Sequence, residues 1–153
     1  ELCSYCRIHA NARIMATLSA SLTLASDDVL SSNLSLRASV DLDVDSGSLI
    51  RAKVKGTAAD TNDMIVYLAN DKSERAYLYI KNLARELEDY IYLRNETESD
   101  SALSAKIGGG EFAFIPVAVD KTVAVYATRV DTLIEYGVFG NDNSSVIFGG
   151  SGT

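Results

Sequence analysis

The sequence contains no tryptophan, one proline and one histidine, and these shortages restrict the chemistry expected of it. The histidine is His9, so residues 10–153 offer no Ser–His or Cys–His pair for nucleophilic catalysis. The two cysteines, Cys3 and Cys6, are too few for a disulfide framework. No apolar run approaches the roughly eighteen residues of a membrane-spanning helix. We therefore expect no enzyme, no cofactor and no membrane partner.

The charge balance argues against nucleic acid as a partner. The chain carries 14 basic and 21 acidic side chains, a formal net charge of −7. The excess lies in residues 57–153, which hold eight basic and fifteen acidic groups. A surface of this sign repels phosphate backbones, and no cluster of Lys and Arg provides a local exception.

Length and composition predict one compact domain. With 153 residues, 47% of them hydrophobic and 23% charged, the chain can bury a real core. Residues 1–14 hold both cysteines and the histidine and precede Met15, which resembles a natural start; we interpret them as an extension of doubtful origin. We expect an N-terminal β-hairpin or arm over 15–56, a β-sandwich body over 57–148 and a flexible tail over 149–153.

Alternation of apolar and polar residues is the dominant pattern. It covers residues 18–24 and 34–44 and has the period of two of a strand with one buried face. Turn residues at 45–48 precede a third alternating stretch, 50–54, so 34–44 and 50–54 are predicted to form a hairpin. In that hairpin, acidic side chains would face basic ones across the two strands. The acids are Asp41, Asp43 and Asp45, and the bases are Arg51, Lys53 and Lys55.

The remainder of the chain predicts short strands with turns every eight to twelve residues, as is typical of a sandwich or barrel. The predicted strands are 64–69, 76–81, 90–94, 112–119, 122–127, 133–139 and 145–148. Leu83–Asp89 is predicted to be a turn or a single helical coil. Pro116 indicates an edge strand or a bulge, because proline cannot donate to the ladder.

The expected fold is therefore all-β, an antiparallel β-sandwich of jelly-roll-like or immunoglobulin-like type. A predicted core follows from the alternation. It comprises Leu36, Val40, Leu42, Leu78, Ile80, Phe112, Phe114 and Val125.

Two motifs suggest a metal, and neither is complete. Asp41, Asp43 and Asp45 resemble the start of a calcium loop, but the glycine comes one place late and Ala52 stands where a bidentate Glu is required. Cys3-x-x-Cys6-x-x-His9 has the local spacing of a zinc knuckle and lacks a fourth Cys or His. We predict no metal site.

Three further features have ordinary structural explanations. The acids at 86–89 and 96–100 are predicted to be a solvated surface rather than a glycosidase pair. The glycines at 108–110 precede a strand, not a helix, and so indicate a turn rather than a phosphate loop. The tyrosines either form one aromatic outer face or pack half-buried against neighbouring strands. They are Tyr67, Tyr77, Tyr79, Tyr90, Tyr92, Tyr126 and Tyr136.

Four segments carry a family resemblance: YLYIKN at 77–82, GGEFAFIP at 109–116, VAVYA at 123–127 and TLIEYGVF at 132–139. Together they resemble small β-sandwich virion proteins of tailed bacteriophages, above all marine and cyanobacterial phages. The resemblance implies a non-catalytic structural protein with no site residues to carry over.

Size and acidity favour a capsid decoration, or cement, protein on the outer surface of the virion. Its expected partners are the major capsid protein and further copies of itself, most simply as a trimer. The alternatives are a tail or tail-fibre component and a carbohydrate-binding β-sandwich module. The lack of tryptophan argues against the carbohydrate-binding module.

Overall fold

The computed structural model describes residues 16–29, 32–55, 63–95 and 105–142. These residues form ten strands, and within them no helix is long and apolar enough to cross a membrane. The strands are β1 (Ala16–Ser26), β2 (Leu34–Val44), β3 (Ser46–Val54), β4 (Met64–Tyr67), β5 (Lys72–Asn82), β6 (Ile91–Asn95), β7 (Ala105–Ile107), β8 (Phe112–Val117), β9 (Val123–Ala127) and β10 (Thr132–Asp142).

The strands form three antiparallel sheets. β1 and β2 make a two-stranded hairpin, β3-β10-β5-β8 make a sheet that we call the front sheet, and β4-β9-β6-β7 make the back sheet. Front and back sheets pack face to face through alternate, fully buried side chains such as Leu78 and Ile134 on one and Ile91 and Val125 on the other. The predicted all-β, antiparallel sandwich is confirmed.

Half of the residues that were predicted to form the core lie outside it. Leu42, Leu78, Ile80 and Val125 are buried as predicted. The other four are not: Leu36, Val40 and Phe112 are 44%, 52% and 62% exposed, and Phe114 is half-buried on the outer face of the front sheet. The cause in β8 is that all six of its residues are apolar, so its sequence does not reveal which alternate set points inward.

The predicted pairing of 34–44 with 50–54 is wrong. β2 pairs with β1 over eleven positions, from Ala16↔Val44 to Ser26↔Leu34, while β3 pairs with β10 and belongs to the sandwich. Asp45 alone separates β2 from β3, too short a connection for a tight hairpin between them. The predicted ladder of acids opposite bases therefore does not form.

Several local predictions are confirmed. Pro116 lies in β8, an edge strand of the front sheet in the described part of the chain. Residues 83–89 form turns without a helix, and the glycines at 108–110 form a turn in which Gly110 has φ +82°. The short strand β7 was not predicted, and the predicted strand 145–148 lies outside the described residues.

One buried amide joins the ends of several strands. The Asn82 side chain is fully buried and donates from Nδ2 to the carbonyl oxygens of Asp89 (2.6 Å) and Ile107 (3.2 Å). Its Oδ1 accepts from the Ala84 amide at 3.0 Å. The Asn82 side chain, at the end of β5, thus satisfies one backbone group of the back sheet and two of the connection between β5 and β6, as buried polar groups require.

Candidate interaction surface

The β1–β2 hairpin is strongly two-faced, because its register places like residues opposite each other. One face is polar: Ser19 Oγ, for example, donates to Asp41 Oδ1 at 2.6 Å across the strands. The other face is almost wholly apolar. It consists of Ala16, Leu18, Ala20, Leu22 and Leu24 on β1 and Leu34, Leu36, Ala38, Val40, Leu42 and Val44 on β2.

This apolar face forms one wall of a cleft of about 990 Å³, which we call the hairpin cleft. The opposite wall is the outer face of the front sheet. The hairpin contributes Leu18, Ala20, Leu22, Leu24, Ala38 and Val40, and the front sheet contributes Leu49, Tyr79, Phe112, Phe114, Glu135 and Phe139. Both walls are apolar, and the cleft is open to solvent.

Two side chains of the apolar face are buried, and both lie beside the junction with the sandwich. At the base, Leu42 and Val44 are each 6% exposed. Towards the tip, the apolar side chains of Leu22, Leu24 and Leu36 are 44 to 45% exposed. The chain thus covers Leu42 and Val44 and leaves the rest of the apolar face partly or largely exposed, with Val40 at 52%.

The base of the hairpin is fixed by an ion-pair network. Lys72 Nζ is buried and donates to Ser46 Oγ and to Asp142 Oδ1, each at 2.6 Å. The junction residue Asp45 donates its amide to Gly140 O at 3.1 Å and accepts from the Asp142 amide at 2.6 Å. Burial alone would lower the pKa of Lys72, but the hydrogen bond and charge of Asp142, helped by Asp71, outweigh it and hold that pKa above its usual value.

A second charged group lies on the front-sheet wall. Glu135 Oε2 accepts from Arg51 Nε at 2.7 Å, and its Oε1 accepts from the Tyr79 hydroxyl at 3.3 Å. The hydrogen bond from Arg51 holds the pKa of Glu135 below its usual value. Burial, followed by the charge of Glu135, raises the pKa of Tyr79. Since Glu135 is already paired, it is not a free acid or base at the cleft.

Aromatic rings complete the same wall. Tyr77 and Phe114 stack across β5 and β8 with ring centroids 5.8 Å apart and an interplanar angle of 4°. The Phe139 ring covers Gly47, where an added Cβ would lie 2.5 Å from Phe139 Cδ1. The front sheet therefore presents rings to the cleft that its own side chains only partly cover.

The tyrosines do not form one aromatic face. Tyr67 is buried, Tyr136 packs against the core, and the others are divided between the outer faces of the two sheets. On the back sheet, Tyr92 stacks on Tyr126 at 5.0 Å, while Lys106 lies 3.6 Å from the centre of the Tyr90 ring. Six of the seven tyrosines, all except the buried Tyr67, are half-buried, as the second alternative predicts.

The sequence-predicted metal motifs gain no support in the described residues, where no cluster of three or more His, Cys, Asp or Glu could hold a metal ion. Asp41 and Asp43 are exposed on β2, and Asp45 is bonded to β10. Cys3, Cys6 and His9 lie outside the described residues, as do the acids at 96–100. Asp89, of the other acidic stretch, pairs with Arg129 at 3.1 Å on the surface.

Comparison with known proteins yields no relative. No protein-family model matches the chain, and no curated protein or solved structure is significantly similar to it. The hairpin cleft, which sequence reasoning missed, is thus the feature on which a functional argument can be built. Its signal was present in residues 18–24, whose alternation matches that of 34–44 position for position.

Proposed function

We propose that the chain is a non-catalytic structural protein of a virion, a capsid decoration protein that binds and stabilises the shell of the major capsid protein. One observation carries the proposal: a two-stranded arm of eleven residues a side extends from the sandwich with an exposed apolar face. An isolated hairpin is marginal in water, so an arm of this kind gains stability when a neighbouring molecule covers it.

The edges of the arm support the same role. In the described part of the chain β1 and β2 pair with each other alone, so their outer edges present unpaired backbone groups. Such edges can add to a sheet of another protein through main-chain hydrogen bonds, with little demand on side-chain chemistry. The resemblance of residues 77–139 to small virion proteins of tailed phages supports a neighbour within the virion, and we propose that this neighbour is the capsid shell.

The alternative of a carbohydrate-binding module is less well supported. Sugar binding uses the open face of an aromatic ring, and the back-sheet rings are each partly covered by a neighbouring side chain. Tyr92 and Tyr126 cover each other at 11°, and Arg94 lies 6.0 Å from the centre of the Tyr126 ring. Together with the absence of tryptophan, this arrangement favours a structural role.

Quantitative mass spectrometry of purified phage particles whose genome encodes the chain tests the proposal. A decoration protein is expected at a copy number approaching that of the major capsid protein. A small fraction of that number would assign the chain to the tail or its fibres instead. Absence from the particles would overturn both assignments.

A further inference from the structure

The hairpin cleft has two apolar walls that face each other without closing, since Val40 on one wall and Phe112 on the other are 52% and 62% exposed. Each copy of the chain therefore carries an apolar arm and, separately, an apolar sheet of matching chemistry. We propose that copies exchange these surfaces, so that the apolar face of one hairpin lies on the outer face of the front sheet of a second copy. The proposal deepens the proposed function by naming a partner, but it concerns the purified chain and does not depend on the particle.

Charge complementarity favours a second copy over an unrelated apolar partner. The tip of the hairpin is acidic, with Asp27 and Asp28 both exposed. The outer face of the front sheet carries Arg51, Lys53 and Lys81 at the end remote from the hairpin junction. Glu135 lies between Arg51 and Lys81 and pairs with Arg51, so the two lysines supply the excess positive charge. In a chain with a net charge of −7, such a basic region is where a second acidic molecule can dock without repulsion.

The connection between arm and sandwich allows the exchange. The hairpin joins β3 through the single residue Asp45, and Leu42 and Val44 remain buried at the base. A change in tilt beyond the base redirects the tip while the Lys72 network stays intact. Short connections of this kind favour the exchange of an element between protomers, and a closed ring is the natural product.

The oligomeric state of the purified chain provides the first test, by sedimentation velocity over a range of concentrations. The wild type is expected to associate. The double variant Leu24→Asp, Val40→Asp places charges on the apolar face and is expected to raise the dissociation constant at least tenfold. The matched control, Thr23→Asp, Ser35→Asp, places the same charges on the polar face of the same strands, at exposed residues that do not line the cleft, and should leave association unchanged.

Disulfide trapping then identifies which surfaces meet. In a Cys3→Ser, Cys6→Ser background, one protein carries Leu24→Cys and another carries Phe112→Cys. When the two are mixed and oxidised, exchange predicts a covalent heterodimer in preference to either homodimer. The pair Thr23→Cys and Phe112→Cys is the control, because Thr23 lies on the polar face of the hairpin, does not line the cleft and should not be trapped.

Three results would overturn the proposal: a wild type that stays monomeric at all concentrations, equal weakening by the two double variants, or no preference for the heterodimer. A monomer in which Leu24→Cys and Phe112→Cys, combined in one chain, form an internal disulfide would show that each hairpin closes on its own sheet. None of these outcomes changes the copy number expected in phage particles. The proposal of exchange between copies and the proposal of a capsid decoration protein can therefore fail separately.

Discussion

Lys72 Nζ lies 2.6 Å from Asp142 Oδ1 and joins the first residue of β5 to the last residue of β10. The Lys72 side chain is 8% exposed and that of Asp142 is 60% exposed, so the cation is buried and its partner meets solvent. This pair stands beside Asp45, where the hairpin leaves the sandwich. The direction of the arm thus depends on a charge held within the sandwich.

Replacing Lys72 by Met should destabilise the fold by about 1–3 kcal/mol, because it removes hydrogen bonds to a charged group and leaves Ser46 and Asp142 without their shared donor. Urea denaturation measures the loss. Lys55→Met, at an exposed position, is the control and should change stability by no more than about 0.5 kcal/mol. Equal effects of the two substitutions would contradict the buried role of Lys72.

The same pair predicts a dependence on pH. A cation whose pKa is raised on folding adds stability that is fully present below its unfolded pKa of about 10.4 and is lost as pH rises through the higher folded value. The stability difference between wild type and Lys72→Met should therefore be constant from about pH 7 to 9 and shrink above about pH 10.5. Denaturation curves of both proteins across this range check the prediction, and a difference that already falls between pH 7 and 9 would refute it.

Truncation of two apolar residues should show that a core side chain contributes more to stability than a side chain that lines the cleft. Leu78→Ala removes a side chain with no exposed surface and should cost about 2–5 kcal/mol. Phe114→Ala removes a half-buried ring that stacks on Tyr77, and we expect about 1–2 kcal/mol, since an aromatic pair contributes about 0.5–1.5 kcal/mol beyond its burial. A fully buried Phe is expected to lose about 3–5 kcal/mol of stability on truncation to Ala. A loss of that size for Phe114→Ala would show that Phe114 belongs to the core.

The sequence predicts strands well and their partners poorly. Alternation in 34–44 identifies β2 and its apolar face, because the period of two follows from the backbone alone. It does not identify the partner, because β1 and β3 both alternate in compatible phase. The choice depends on the single-residue connection at Asp45 and on the pairing of β3 with the distant β10, a contact that no local pattern contains.

The hairpin cleft could not be predicted either, because it depends on how distant parts of the chain are placed relative to each other. An apolar side chain on a strand predicts burial, yet Val40 and Phe112 line the open cleft, and Leu36 is exposed on the same apolar face of the hairpin as Val40. Their exposure results from the placement of a whole hairpin relative to a sheet. Uniformly apolar β8 gives no sign of which face is the outer one, whereas the strictly alternating residues 76–82 of β5 do, and there Leu78 and Ile80 are buried as predicted.

Substitution of the buried Asn82 should be costly despite its small size. Asn82→Ala leaves the carbonyl oxygens of Asp89 and Ile107 and the amide of Ala84 without their partner, so a loss of about 2–4 kcal/mol is expected. Thermal and urea unfolding measure it. Asn33→Ala, at an exposed position before β2, should be nearly neutral, and a similarly small effect at Asn82 would show that water replaces the amide.

The contact between Gly47 and Phe139 should appear as an energetic coupling. An alanine at position 47 would place its Cβ 2.5 Å from Phe139 Cδ1, so the ring must move off the front sheet towards the cleft. We expect Gly47→Ala to cost about 1–2 kcal/mol, in the range of other overpacking substitutions. In a Phe139→Ala background the clash is gone, and the same change should be neutral or stabilising by up to about 1 kcal/mol, because alanine restricts the unfolded chain more than glycine does. A double-mutant cycle measures the difference, and a coupling energy near zero would show that the ring does not rest on Gly47.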